Sequence, residues 1–147
     1  MKIKDNIAEF KIEVIGEQTA QTYLGEFKTK CILSIGDEIE ADKAYRNLLG
    51  ENLIYATQEI KELAFALAQL QVRVVESPFF WNELKQGSQC EDRNLIFEVL
   101  NKSIEGQAKF LEEKQQIINE KKSKLTKMLK SGEISEDLPE TEEVEGL

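Results

Sequence analysis

The stretch of residues 92–131 contains no proline and a single glycine, Gly106. Asp92 stands where an N-cap is expected, so the pattern predicts one helix that runs to about Ser131. At 1.5 Å per residue such a helix would extend roughly 55 to 60 Å, which is well beyond the body of a small domain. The second half of the helix is therefore predicted to need a contact of its own.

Apolar residues recur along this helix at every seventh position, but the companion positions of the heptad are mixed. A self-sufficient coiled coil needs both positions apolar, so this half-apolar seam favours a helix docked on a partner or paired weakly with its own copy. Leu111, Ile118 and Leu125 are the predicted contact residues of the second half. The first position is held by Phe97, Ile104, Leu111, Ile118 and Leu125, and the second by Leu100, Gln107, Lys114, Lys121 and Met128.

Charge divides the chain into three blocks. Residues 1–108 carry a net −6, residues 109–131 carry +4 from seven lysines and three glutamates, and residues 132–147 carry −7 with no basic side chain. The lysines are either a solvated helix face or an electrostatic dock for an acidic partner or for the chain's own tail. So acidic a chain disfavours nucleic acid as a partner. The composition of the tail predicts disorder.

The N-terminal part of the chain predicts a β-hairpin. Ala8, Phe10, Ile12 and Val14 alternate with charged residues between positions 7 and 15, which is typical of a strand with one wet face. A polar connection leads to a second alternating run. Its apolar members are Tyr23, Phe27, Cys31 and Leu33.

Two helices are predicted next. Ser34 and Asp37 offer capping side chains for the first helix, which Gly50 ends. The second is predicted as a buried helix from about Leu53 to Glu76, ended by Pro78. Its predicted apolar stripe is Ile60, Leu63, Leu67, Leu70 and Val74. The fold class is therefore α+β: an N-terminal β-hairpin packed on a small helical domain (residues 1–105), an extension of the long C-terminal α-helix (106–131) and an acidic tail (132–147).

An aromatic cluster directly follows Pro78: Phe79, Phe80 and Trp81. Three adjacent residues on a non-helical segment cannot all point the same way, and an exposed aromatic side chain is typical of a protein interface. Trp81 and one phenylalanine are predicted to face mostly inward, and the other phenylalanine to make an intermolecular contact. The cluster as a whole is a candidate interface.

No pattern of residues predicts a catalytic, cofactor or metal site. The chain has no histidine, and its eight glycines never cluster into a phosphate-binding loop. The acidic group at Asp37, Glu38, Glu40 and Asp42 opens a helix, where capping is expected rather than metal binding. Acidic neighbours of Cys90 should disfavour its thiolate. No signal peptide or membrane segment is predicted, so we expect a soluble, intracellular protein.

Four segments of the chain resemble small proteins encoded among the morphogenesis genes of tailed bacteriophages. They are GEFKTKCILS, DEIEADKAYRNLLG, VVESPFFW and DRNLIFEVL, within about residues 8–105. The resemblance implies a virion structural or tail-assembly protein that is not an enzyme and works in many copies. Its implied partners are other copies of itself and other virion or assembly proteins, with no membrane involved. Its implied location is the host cytoplasm during assembly, followed by the virion for a permanent component.

The residues leave three functions open. The first is the bacteriophage virion or assembly component, as a permanent part of the head or tail or as a transient tail-assembly chaperone. The second is a regulatory adaptor or inhibitor whose acidic tail mimics nucleic acid. The third is an enzyme that uses carboxylates alone, which is the least favoured.

Overall fold

The computed structural model describes residues 1–132. The chain divides into two units, Met1–Phe110 and Leu111–Leu147, and each is treated by itself below. The predictions for the acidic tail at positions 133–147 lie outside the described residues.

A four-stranded antiparallel sheet holds the N-terminal part of the chain, in the order β1-β2-β3-β4. The central pair is the predicted hairpin, β2 (Ile7–Ile15) and β3 (Thr22–Lys30), in register from Ile7↔Lys30 to Ile15↔Thr22. Short edge strands flank it, β1 (Lys2–Lys4) on β2 and β4 (Val74–Glu76) on β3. The α+β class and the hairpin are thus confirmed, whereas the sequence had predicted neither edge strand.

The alternation of the two central strands places one face of the hairpin in the core. Ala8, Phe10 and Ile12 of β2 are buried, as are Tyr23 and Phe27 of β3. The rings of Phe10 and Phe27, which are cross-strand partners, stack with centroids 5.9 Å apart. This burial, at about 25 cal/mol per Å² of apolar surface, stabilises the hairpin against the helices.

Helix α1 (Ile35–Leu49) begins with the predicted cap. The Ser34 hydroxyl accepts a hydrogen bond from the Asp37 backbone N–H, and the Asp37 carboxylate accepts one from the Ser34 N–H. Lys30, the last residue of β3, also reaches the Asp37 carboxylate at 3.0 Å. This capping box therefore ties the end of the sheet to the first turn of the helix.

Helix α2 (Gln58–Arg73) is shorter at both ends than the sequence predicted. A 3-10 turn occupies Gly50–Leu53, and the Thr57 side chain caps the true start. At the other end Val74–Glu76 is a strand, because Val74 pairs with Thr29 and Glu76 with Lys28. The prediction of helix to Glu76 was wrong, since hydrogen bonds to a distant strand outweighed the local apolar spacing.

The predicted apolar stripe of α2 is only partly buried. Leu70 is in the core, Leu63, Leu67 and Val74 are half-buried, and Ile60 is exposed. The buried residues of this helix are instead mainly alanines, which lie on two of its sides. They are Ala64, Ala66 and Ala68.

Helix α4 (Arg93–Ser131) follows the single helical turn α3 (Phe79–Glu83) and contributes its first half to the core. Leu95, Ile96, Val99 and Leu100 join the aromatic residues of the hairpin there. Gly106 of α4 lies against Ala8 of β2 so closely that an added Cβ would come within 2.6 Å of the alanine Cβ. Two small residues thus set how near the helix approaches the sheet.

Candidate protein-interaction surface

The aromatic cluster lies on a helical turn, which corrects the prediction of a non-helical segment. Pro78 precedes Phe79–Glu83, where its fixed φ suits a helix start. Trp81 is 1% exposed and meets Phe27 edge to face with ring centroids 5.3 Å apart. Phe80 is half-buried and packs on Tyr23 and Phe27. The inward orientation predicted for Trp81 and one phenylalanine is confirmed.

Phe79 is the outward member of the cluster, with 76% of its surface exposed. One helical turn sends adjacent side chains about 100° apart, which is why Phe79 and Trp81 point to opposite sides. The turn that carries this exposed ring is anchored by the buried Trp81. That is the arrangement expected of an interface anchor. The contact roles of Phe79, Phe80 and Trp81 stay predictions.

The described part of the second unit carries a row of apolar side chains on a largely polar helix, which also exposes Ile117 and Met128 outside the row. Every residue from position 111 to 132 is exposed. Four apolar side chains, which we call the apolar row, fall within an arc of about 40° because they are spaced by seven and four residues. They are Leu111, Ile118, Leu125 and Leu129, and their exposed fractions lie between 42 and 47%. The contact predicted for Leu111, Ile118 and Leu125 remains a prediction.

Lysines surround the apolar row. Helical spacing places Lys122 about 20° to one side of the row and Lys114 and Lys121 about 20° and 40° to the other, while the three glutamates of the segment lie on other sides. Lys109 pairs with Glu105 across one turn at 3.4 Å. Toward the other described residues, neither a salt bridge nor a hydrogen bond is made by the ammonium groups of Lys121, Lys122, Lys124, Lys127 or Lys130. We call the apolar row with Lys114, Lys121 and Lys122 the basic apolar face.

An open strand edge is a third exposed feature. Strand β1 covers only Ile7–Glu9 of β2, so within residues 1–132 the rest of that edge has no neighbouring strand. The Ile15 carbonyl accepts a hydrogen bond from the Asn94 side chain at 2.9 Å, which closes the end of the edge. Lys11 and Glu13 form an ion pair on its outer side. Charged side chains on a short edge discourage unspecific strand pairing.

Asp92 is a residue whose role the sequence did not reveal. It occupies the predicted position before α4, but its carboxylate accepts hydrogen bonds from the hairpin instead of capping its own helix. The carboxylate accepts hydrogen bonds from the Gln18 and Thr19 N–H groups, the Thr19 hydroxyl and the Tyr23 hydroxyl, at 2.6 to 2.9 Å. An added Cβ on Gly16 would collide with this carboxylate, so the loop needs glycine there.

These hydrogen bonds decide the ionisation of Asp92. Burial raises its pKa, but the bonds from Thr19, Tyr23 and Gln18 outweigh that effect and lower the pKa to about 2. Burial, and then the bond to Asp92, raise the pKa of the Tyr23 hydroxyl. At neutral pH the Tyr23 phenol is therefore neutral and donates a hydrogen bond to the ionised Asp92 carboxylate. The four hydrogen bonds to Asp92 hold the hairpin against the start of α4, so the role of Asp92 is structural.

The predictions for Cys90 and Asp37 agree with the structure. Burial raises the pKa of the Cys90 thiol, and the charges of Asp92 and Glu91 add to that effect, so the thiolate is disfavoured as expected. The Lys30 ammonium, with the Ser34 N–H, lowers the pKa of Asp37. Asp37 therefore acts as a cap, as predicted from its position.

Within the described residues, no three His, Cys, Asp or Glu side chains are grouped so that they could hold a metal ion. None of the helices in the described part of the chain is long and apolar enough to cross a membrane. Comparison with protein-family models, with curated proteins and with solved structures finds no match. Function is therefore inferred from the exposed surfaces of the described residues.

Proposed function

We propose that this chain is a non-enzymatic bacteriophage protein that makes multi-copy protein–protein contacts in the virion, in the head or the tail. The observation that carries the proposal is the apolar row, Leu111, Ile118, Leu125 and Leu129, on a helical segment in which every described residue is exposed. Apolar side chains aligned on one helix face are the usual means by which a helix docks on a protein surface.

Two features of the first unit support assembly as well. Phe79 is exposed on a turn anchored by the buried Trp81, and the β2 edge beyond Glu9 has no strand neighbour among the described residues. Each offers a separate contact, so one copy could bind two or more neighbours. The proposed partners are other copies of the chain and other virion or assembly proteins, without a membrane and without nucleic acid.

The proposal assigns no catalytic residue, metal or cofactor. The chain has no histidine, and the fully buried carboxylate of Asp92 accepts four hydrogen bonds that hold the hairpin. The resemblance of four segments to phage morphogenesis proteins points to the same class. The proposed location is the host cytoplasm during assembly and then the virion.

Mass spectrometry of purified phage particles tests the proposal, using the phage or prophage that carries the gene. We expect the chain in particles at a fixed copy number. Absence from particles together with binding to an identified tail protein in infected cells would instead indicate a transient tail-assembly chaperone. Release of a basic partner at moderate salt would indicate the acidic adaptor or inhibitor. A strictly monomeric chain with no affinity for any virion or assembly protein would refute the proposal.

Substitutions on the helix show whether the apolar row makes the contact. Ile118→Ser combined with Leu125→Ser should reduce incorporation into particles at least tenfold, because two half-exposed apolar side chains contribute about 1.5 kcal/mol or more on docking. Gln116→Ser combined with Asn119→Ser changes the same helix on another side and serves as control. Circular dichroism should show equal helix content in both variants. Equal incorporation of both would exclude the apolar row as the contact.

A further inference from the structure

The basic apolar face requires a partner of unusual composition. Its apolar row needs apolar side chains opposite, while the positive charges of Lys121 and Lys122 favour carboxylates beside them. Residues 121–131 contain five lysines and no acidic residue. A fitting occupant is thus an acidic segment with a few spaced apolar residues.

A second copy of the same helix does not meet that requirement. Each copy carries +4 over residues 109–131, so two such segments side by side repel one another. Lys114 and Lys121 would also stand in the seam of a coiled coil, where an apolar residue is needed. The charge of the face therefore disfavours a homodimer formed through it.

The chain itself contains a segment of the required composition. Residues 133–147, EISEDLPETEEVEGL, hold seven acidic and no basic side chains. Four apolar residues are spaced along the segment. They are Ile134, Leu138, Val144 and Leu147.

The end of α4 allows this segment to reach the face. Gly132 has a φ of +74°, the left-handed conformation that ends helices, and its N–H donates to the Leu129 carbonyl at 3.3 Å. Fifteen residues extend at most about 50 Å, whereas the helix from Leu111 to Ser131 is about 30 Å long. The segment is thus long enough to run back along the whole face.

We propose that residues 133–147 bind in cis to the basic apolar face of their own chain and cover it until an assembly partner displaces them. The cis arrangement has the advantage of an effective concentration in the millimolar range. The regulatory part of this inference rests on the proposed function, since the covered face is the one assigned to assembly. The cis contact itself can be tested without any phage particle.

Carbodiimide cross-linking of the full-length chain tests the contact directly, because this reagent joins a lysine amine to a carboxylate that touches it. An equal mixture of ¹⁴N and ¹⁵N chains separates links within one chain from links between chains. We expect links from Lys114, Lys121 or Lys122 to Glu140, Glu142, Glu143 or Glu145, within single chains, that disappear in about 1 M salt, where the Debye length falls to about 3 Å. Mixed-isotope links, or none to these lysines, would overturn the cis contact.

A binding measurement provides an independent test in the full-length chain, with a short DNA duplex as polyanion probe. Replacing Glu140, Glu142, Glu143 and Glu145 by Gln should free the lysines and raise the affinity about tenfold at 50 mM salt. With four or five lysines on phosphates, that affinity should fall on the order of a hundredfold by 200 mM. The control replaces Glu17, Glu26, Glu51 and Glu83 by Gln, which changes the net charge equally at exposed positions of the first unit. Equal binding by both variants would contradict the proposal.

The two proposals fail in different ways. Incorporation into particles together with an absence of intrachain links would leave the assembly function standing and remove the tail as its regulator. Intrachain links in a chain that binds no virion or assembly protein would leave the cis contact standing and remove the assembly function.

Discussion

The hydroxyl of Tyr23 donates a hydrogen bond of 2.6 Å to the carboxylate of Asp92, a residue 69 positions further along the chain. Tyr23 belongs to β3 and Asp92 immediately precedes α4, so this bond joins the hairpin to the start of the long helix. Both residues are buried. The stability of the first unit should therefore depend on the charge of one carboxylate.

Low pH should reduce the stability of the first unit, because the Asp92 carboxylate becomes protonated. Its pKa is about 2 in the folded chain and about 3.9 in an unfolded one. Because the folded pKa is the lower, the stabilisation is complete above pH 4 and is lost as the pH falls toward 2. Urea unfolding at several pH values should show Asp92→Asn to be less stable than the wild type at pH 7, with a difference that shrinks as the pH approaches 2. A difference independent of pH would mean that Asp92 titrates normally.

Removing only the phenolic hydroxyl tests the other half of this bond. Tyr23→Phe should lower the free energy of unfolding by about 1.5 to 3 kcal/mol, the usual range for a hydrogen bond to a charged group. Tyr55→Phe makes the same chemical change at a side chain that is 85% exposed and should leave stability within about 0.5 kcal/mol. Equal effects of the two substitutions would show that the Tyr23 bond contributes little.

Substitutions in the aromatic cluster should affect folding stability and association separately. Trp81→Ala removes a buried indole and should cost about 3 to 5 kcal/mol of folding stability. Phe79→Ala truncates an exposed ring and should change stability by no more than about 0.5 kcal/mol while it weakens assembly. Thermal unfolding and particle incorporation measure the two effects. A large loss of stability in Phe79→Ala would contradict the assignment of Phe79 as an interface anchor.

Gly106→Ala tests the close approach of α4 and β2. Alanine normally favours a helix by about 1 kcal/mol over glycine. Here its Cβ would come within 2.6 Å of the Ala8 Cβ, so we expect a net loss of about 1 to 3 kcal/mol as helix and sheet separate. Gly36→Ala in α1, whose nearest contact is 3.7 Å away, should be neutral or stabilising. A stabilising Gly106→Ala would show that the helix can shift at no cost.

Local pattern predicted the elements whose stability comes from nearby residues. Alternation of apolar and polar residues predicted the hairpin strands β2 and β3. The Ser34 and Asp37 pair predicted the start of α1, and the absence of proline predicted that α4 runs to Ser131. Each depends on side-chain period or on a cap within a few residues. Such signals can be recognised in the sequence without knowledge of the tertiary contacts.

Tertiary contacts decided the rest, because their partners are distant in the sequence. Val74–Glu76 has helical spacing, but the backbone of β3 offers it a ladder of hydrogen bonds, so it forms a strand. Asp92 is a residue type that often caps helices, yet the loop at Gln18 and Thr19 brings it three hydrogen-bond donors and Tyr23 of β3 brings a fourth. The aromatic cluster was visible in the sequence, but only the packing of Phe27 on Trp81 determined that Phe79 would be left at the surface.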